Sequence, residues 1–181
     1  MTKPTTQNIV FIALFAALTF VATTIKIPLP TGAFVHLGNA VLVLSVLLLG
    51  YTSGSLAGGI GFFLFDLLNG YATEAPYFLI EAFIVGGATY LAFNSFKKHP
   101  TRVWQIVVIG LSAGVAKIIM TQIKNTIVQL WVGVPTFDLA FKTALVKLPA
   151  TFTNVGLTIL VVGIVYFPLS QAFSRITKRK I

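Results

Sequence analysis

Long runs of apolar residues, interrupted by few charges, constrain this chain more than any other feature. Hydrophobic residues make up 56% of the 181 residues, charged residues only 9%, and the mean hydropathy is +0.92. A single soluble core of this size cannot bury so much apolar surface, whereas a lipid bilayer accommodates it. Backbone groups in a bilayer must be satisfied internally, which allows helices or a closed barrel. The runs are too continuous for the alternating strands of a barrel, so the sequence predicts an all-α membrane protein.

Six apolar segments separated by turn residues predict a single membrane domain, residues 1–181, in one six-helix bundle. Pro149 and Pro168 predict kinks in the last helix, because proline cannot donate to the helical ladder. Residues 26–37 are rich in proline and glycine and are expected to form an outer lid loop. The predicted helices are about Asn8–Ile25, Asn39–Leu49, Ser53–Leu68, Pro76–Phe93, Val103–Trp131 and Phe137–Phe173.

The positive charge of the chain is read as a topology signal. The sequence has 13 Lys+Arg against 4 Asp+Glu, a formal net charge of +9. Eight of the cations cluster at the termini or in one short loop, and cytoplasmic segments of membrane proteins carry such an excess. We therefore expect both termini in the cytoplasm and no nucleic-acid partner. We also expect the first apolar segment to stay in place as a helix. The eight cations are Lys3, Lys97, Lys98, Arg102, Arg175, Lys178, Arg179 and Lys180.

Ionisable and amide side chains inside the predicted spans are the candidate functional groups. Placing a charge in a span costs at least ~2.5 kcal/mol on insertion scales, so such residues are rarely accidental. On the fifth helix the polar side chains fall within a sector about 160° wide. Four helices thus bring polar groups to one level near the outer face, which predicts a small-molecule site. The candidate ligand-binding residues are His36, Asn39, Asp66, Tyr77, Glu81, Lys117, Gln122, Asn125, Lys147 and Asn154.

Structural roles are the alternative for each candidate. Glu81 could pair with Lys117 or Lys147, and Asp66 with Lys124, only to hold helices together. His36 and Asn39 could cap the second helix. Tyr77 and Trp131 could anchor the chain at the membrane interface instead of stacking on a ligand.

Catalytic motifs are absent from the sequence. No G-x-x-x-x-G-K-[ST] loop is present, and two distant histidines without cysteines make a metal site improbable. We therefore expect no enzyme activity, no cofactor and no metal. ATP-driven transport would need a second chain to hydrolyse ATP.

The order of several short motifs resembles one family, the substrate-binding S components of energy-coupling factor (ECF) vitamin transporters. The resemblance covers nearly the whole chain. The motifs are Ala13-Leu-Phe-Ala-Ala17, the entry His36-Leu-Gly38-Asn39 into the second helix, the glycine-rich third helix ending Asp66-Leu-Leu-Asn-Gly70, and Pro149 before Asn154.

This resemblance implies a multi-pass protein of the cell membrane that binds a vitamin with high affinity at the outer side. It also implies partners: a transmembrane coupling subunit, met by Ala13 and Ala17, and two ATPase subunits. Within the family, the chain is most similar to the subgroup for hydroxymethylpyrimidine or pyridoxine. Members of that subgroup often have lysine at the position of Glu81, so riboflavin, pantothenate or another vitamin is the alternative substrate.

Two other functions fit the residues. Asp66 and Glu81 could carry protons in a self-sufficient secondary transporter. A structural membrane subunit with no ligand would use the same polar groups only to join helices.

Overall fold

The computed structural model describes residues 6–177, which are almost entirely helical. Helix α6, a 3₁₀ turn and α7 follow one another without a loop, so the described residues form six helical segments. The predicted all-α membrane fold is confirmed, and the predicted helix ends lie within a few residues of the observed ones. The elements are α1 (Thr6–Thr24), β1 (Lys26–Pro28), β2 (Phe34–His36), α2 (Gly38–Leu49), α3 (Tyr51–Leu68), α4 (Ala75–Ser95), α5 (Val103–Trp131), α6 (Phe137–Ala144), the 3₁₀ turn Leu145–Lys147 and α7 (Leu148–Thr177).

The bundle has two distinct ends. We call the end that carries β1, β2 and the α3–α4 turn the hairpin end. At the opposite end the start of α1 meets the α2–α3 junction and the last turns of α7, where Phe11 and Phe173 lie 4.7 Å apart between ring centroids. We call this the tail end. Four helical segments, α1, α4, α5 and the α6–α7 unit, are long and apolar enough to cross a membrane.

Helix α2 is short and lies in the middle of the bundle. Its 12 residues extend about 18 Å at 1.5 Å per residue, less than the thickness of a bilayer core. Ten of those residues are buried, because α1, α3, α4 and α7 all pack against this helix. Its apolar side chains therefore form the protein core rather than a lipid-facing surface.

Two glycines of α3 allow neighbouring helices to approach closely. A methyl group added at Gly54 would lie 2.4 Å from the Cα of Val46 in α2, a backbone atom that cannot rotate away. A methyl group at Gly61 would lie 2.6 Å from the carbonyl oxygen of Ala16 in α1. Close backbone contact of this kind replaces the hydrophobic driving force that helices lack in lipid. The glycine-rich sequence of α3 thus fixes α1 and α2 beside it.

The predicted outer loop contains a small β-hairpin that the sequence analysis did not anticipate. Strands β1 and β2 pair antiparallel, with Lys26 opposite His36 and Pro28 opposite Phe34. Gly32 has a φ of 76°, which favours glycine at the turn between the strands. The lid is therefore a two-stranded hairpin, whereas the sequence predicted only a loop.

The two predicted kinks in the last helix have different outcomes. The helix is interrupted by the 3₁₀ turn Leu145–Lys147, which ends two residues before Pro149, the second residue of α7. Proline removes one donor from the helical ladder, which explains an interruption at this point. Pro168 lies within the continuous helix α7.

The cations predicted to mark the cytoplasmic side lie partly within the described residues. Lys97, Lys98 and Arg102 lie between α4 and α5, and Arg175 lies in the last turn of α7, all at the tail end. Lys3, Lys178, Arg179 and Lys180 lie outside the described residues.

Candidate ligand-binding site

A cavity opens at the hairpin end, among β2, α3, α4, α5 and the start of α7. The cavity and its open mouth together contain about 750 Å³ of free space. The cavity is lined by the aromatic residues Phe34, Tyr71, Tyr77 and Phe78, by the charged residues Asp66, Glu74, Glu81, Lys117, Lys124 and Lys147, and by His36, Thr121, Asn125, Thr151, Asn154, Gly32, Ala33 and Ala150.

A buried ion pair joins α4 to α5 in the cavity wall. The ammonium of Lys117 contacts Oε2 of Glu81, whose side chain is only 2% exposed. The Tyr77 hydroxyl donates to the carbonyl of Met120 at 2.6 Å and lies 3.1 Å from Oε1 of Glu81. Of the pairings considered from sequence, Glu81 with Lys117 is the one that the structure forms. The carboxylate is held in one orientation by two neighbouring helices.

A second ion pair corrects the sequence analysis. Lys124 pairs with Glu74, in the turn before α4, and not with Asp66. Glu74 is a cavity residue that the sequence analysis missed, because it lies before the predicted start of the fourth helix at Pro76 and outside the predicted spans. The ring of Phe78 lies between the two pairs, with Lys117 Nζ 5.1 Å and Lys124 Nζ 4.9 Å from its centroid. The two lysines are thereby held by both carboxylates and an aromatic face.

Two charged side chains of the cavity have no ionic partner within residues 6–177. Asp66, near the end of α3, is 4% exposed, and its Oδ2 has no hydrogen-bond partner among those residues. Lys147, in the 3₁₀ turn before α7, forms no salt bridge in the same range. The remaining lysines and carboxylates of the cavity wall are already paired.

Asn154 connects α7 to the hairpin. Its Nδ2 donates to the carbonyl of Phe34 at 3.0 Å, and its Oδ1 accepts from the backbone N–H of His36 at 2.9 Å. Both ends of the amide are used by β2, so this cavity residue positions the lid strand. A ligand contact from Asn154 remains a prediction.

His36 is a neutral residue at the base of the hairpin. Its Nδ1 accepts from the backbone N–H of Gly38 at 3.1 Å, so the imidazole satisfies one free donor at the start of α2. Burial, reinforced by the charges of Lys117 and Lys26, lowers the pKa of His36 to about 3. The side chain therefore stays uncharged at physiological pH.

An aromatic cage that the sequence analysis missed holds the other strand. The ammonium of Lys26 in β1 lies 4.9, 4.8 and 5.3 Å from the ring centroids of Phe34, Phe65 and Tyr71. Cation–π contacts of this kind fix a lysine without a carboxylate. The lid is thus attached to α3 through Lys26 and to α7 through Asn154.

Two predicted ligand-binding residues point elsewhere. Gln122 donates from Nε2 to the carbonyl of Phe141 at 2.9 Å, because it faces α6 and not the cavity. Asn39 lines a separate small cavity deeper in the bundle, which shares Lys117 with the larger one. Both placements correct the expectation that these side chains line the cavity at the hairpin end. The other eight candidates line it, while Trp131 is 88% exposed and lies outside it.

The small residues of α1 have two orientations. Ala16 and Thr19 are buried against Gly61 of α3, whereas Ala13 and Ala17 are exposed. Ala13 and Ala17 therefore do not serve packing within this chain.

One family profile, described as "ECF-type riboflavin transporter, S component", matches residues 3–174. No curated protein matches the chain at a significant level.

Proposed function

Because the chain belongs to the family of ECF-type riboflavin transporter S components, we propose that the cavity at the hairpin end binds the vitamin that this subunit delivers to an ATP-driven importer. Family membership confirms the predicted resemblance to ECF S components, the location in the cell membrane and the role as a transporter subunit and not an enzyme. S components work with a module composed of a membrane subunit and ATPases.

The observation that carries the proposal is the arrangement of the cavity wall. Hydrogen-bonding groups from α4, α5 and α7 meet aromatic faces from β2 and α4 in one space at the end of the bundle. Ligand sites typically combine apolar walls with a few fixed polar groups in this way. Glu81, Asn125 and Lys147 are the side chains expected to bond the ligand, and the hairpin covers them.

The proposed substrate is a small aromatic heterocycle with hydroxyls and ring nitrogens, such as hydroxymethylpyrimidine or pyridoxine. Carboxylate and ammonium groups can accept from and donate to such substituents, and the aromatic side chains can stack on the ring. Riboflavin is the second candidate, favoured by the description of the matching family.

Binding by the isolated chain is the first test. The purified chain should melt at a higher temperature with its ligand, because a ligand that binds only the folded state stabilises it by mass action. The panel contains hydroxymethylpyrimidine, pyridoxine, pantothenate and riboflavin. Isothermal titration then gives the affinity. A chain stabilised by none of them would argue for a structural subunit.

Uptake by proteoliposomes separates an importer subunit from a secondary transporter. Labelled vitamin should enter vesicles only when the coupling subunit, the ATPases and ATP are all present. Uptake by the chain alone, driven by a proton gradient, would instead support the secondary transporter with Asp66 and Glu81 as proton carriers.

We propose Ala13 and Ala17 as the contact with the coupling subunit, because an exposed small-residue surface allows close approach of another helix. Ala13→Leu or Ala17→Leu should abolish copurification of the coupling subunit and leave ligand affinity unchanged. Gly156→Leu, which adds one carbon more than Ala→Leu at an exposed position of α7, is the control. Intact copurification in both alanine variants would remove this surface from the proposal.

A further inference from the structure

Asp66 and Lys147 are the two charges of the cavity wall whose partners are missing within residues 6–177. From this pairing pattern, and resting on the proposed function, we propose that the substrate is an aromatic zwitterion. Its cationic or N–H group would bind Asp66, and its anionic oxygen would bind Lys147.

The buried carboxylate of Asp66 indicates that a positively charged group of the ligand binds beside it. The side chain is 4% exposed and has an oxygen with no hydrogen-bond partner among the described residues. A buried ion without a counter-charge is strongly destabilising, whereas charges held by a partner and by hydrogen bonds are tolerated. Glu81 and Glu74 show the usual solution, since each contacts a lysine. A ligand that carries a positive group would give Asp66 the partner that the chain does not.

The positions of the two residues require a ligand that reaches from one wall to another. Asp66 lies on α3, which packs against α1, α2 and α4, while Lys147 precedes α7, which packs against α2 and α5. The two side chains do not contact each other, although both line the cavity. One molecule between them can satisfy both.

The charge balance of the cavity favours a ligand with no net charge. Asp66, Glu74 and Glu81 are matched by Lys117, Lys124 and Lys147 in the lining. A purely cationic ligand would leave Lys147 without a partner, and a purely anionic ligand would leave the buried Asp66 without one. A zwitterion satisfies both and keeps the cavity neutral. The aromatic side chains Phe34, Tyr71 and Phe78 add the preference for a planar ring.

The experiment uses the full chain and a matched set of ring compounds. Pyridoxine is the zwitterionic probe, because its ring nitrogen can carry the positive charge and its phenolic oxygen the negative one. One analogue lacks the phenolic hydroxyl, and another has carbon in place of the ring nitrogen. Hydroxymethylpyrimidine and riboflavin, neither of which is zwitterionic at neutral pH, complete the set. Affinities are measured by isothermal titration.

We expect pyridoxine to bind and each analogue to bind about 10- to 100-fold more weakly, the usual effect of losing a hydrogen bond to a charged group. Lys147→Met should lower the affinity for pyridoxine to that of the analogue without the hydroxyl, and should not change the affinity for that analogue. Asp66→Asn should lower the affinity for pyridoxine to that of the analogue without the ring nitrogen, and should not change the affinity for that second analogue. Lys142→Met and Asp138→Asn, at an exposed ion pair on α6 outside the cavity, should change no affinity.

The outcomes separate this inference from the proposed function. The proposal of a zwitterionic substrate is wrong if hydroxymethylpyrimidine or riboflavin binds more tightly than pyridoxine. It is also wrong if both variants weaken the binding of every ligand equally. In either case the cavity still binds a vitamin. Failure of these five compounds and of pantothenate to bind overturns both proposals. If a variant does not fold, the comparison of pyridoxine with its two analogues on the unaltered chain still decides the matter.

Discussion

The hairpin end and the tail end of the bundle solve the problem of packing in a membrane in different ways. At the hairpin end, ion pairs, an amide and an aromatic cage join the elements that form the walls of a cavity. Toward the tail end, Gly54 allows α3 to touch the backbone of α2, and the rings of Phe11 and Phe173 lie 4.7 Å apart at an angle of 51°. The difference indicates that close contact stabilises one end, while the other keeps polar groups available for binding.

This division predicts which substitutions affect stability alone and which affect the ligand. Where two helix backbones are in contact, an added side-chain atom lowers stability, but no group is present there to bind a ligand. Polar groups in the cavity contribute to both properties, since their desolvation is offset only when each has a partner.

The largest expected effect is at the buried ion pair. Glu81→Ala leaves the Lys117 ammonium without a counter-charge and should destabilise the chain by about 3–5 kcal/mol, as well as weaken ligand binding. Asp138→Ala, which breaks the exposed pair with Lys142 at 2.6 Å, should cost at most about 1 kcal/mol. Denaturant titration in detergent measures both. Equal effects at the two pairs would contradict the distinction between them.

A stability effect without a binding effect is expected toward the tail end. Gly54→Ala should destabilise the chain by about 1–3 kcal/mol through overpacking against Val46. Gly156→Ala is the matched control, because an added methyl group there meets no atom within 4 Å. That control should be neutral or stabilising by up to about 1 kcal/mol. The ligand affinity of the folded protein should be unchanged in both variants. A loss of affinity in Gly54→Ala alone would contradict the assignment of packing to the tail end and of binding to the hairpin end.

A faster release of the ligand is expected when the lid is loosened. Asn154→Ala removes both hydrogen bonds to β2 and should accelerate ligand release about tenfold or more, since each bond contributes roughly 1 kcal/mol. Thr153→Ala, whose hydroxyl bonds only within its own helix, is the control. Stopped-flow dissociation measures the rate. Unchanged release from Asn154→Ala would mean that the hairpin does not cover the ligand.

The smallest effect concerns pH. The pKa of His36 is lowered to about 3, from 6.5 in an unfolded chain, so the unfolded state takes up a proton first as the pH falls. Its contribution to stability is complete above about pH 6.5 and declines toward pH 3. Between pH 7 and pH 5.5 the loss should be about 1 kcal/mol. In His36→Gln this part of the pH dependence should vanish; a curve identical to that of the unaltered chain would contradict the assignment.

The fold was predictable where a sequence pattern extends over many residues. Apolar runs near 20 residues identify spans, and helix α5 begins and ends at the predicted residues Val103 and Trp131. The hairpin was not predictable, because strands of three residues carry almost no periodic pattern and β1 ends in a proline, which cannot donate to a strand ladder.

The site was predictable in part for a related reason. Helical spacing indicated that the polar face of α5 turns inward, but not which neighbour each residue meets. Gln122 shares the inward sector with Lys117, yet it faces α6, where a backbone carbonyl is free to accept. The pairing of Lys124 with Glu74 depends on the path of a turn, which hydrophobic periodicity does not describe.

The two hydrogen bonds of Asn154 have a consequence for mutational tolerance. The side-chain amide of Asn154 accepts from one backbone N–H of β2 and donates to one backbone carbonyl of the same strand. An ionised aspartate at this position could accept but not donate, and leucine could do neither. Glutamine adds a methylene that moves the amide away from its partners. In a saturation library selected for vitamin uptake, this position should therefore accept fewer residues than its exposed neighbour Thr153, even though neither side chain is charged.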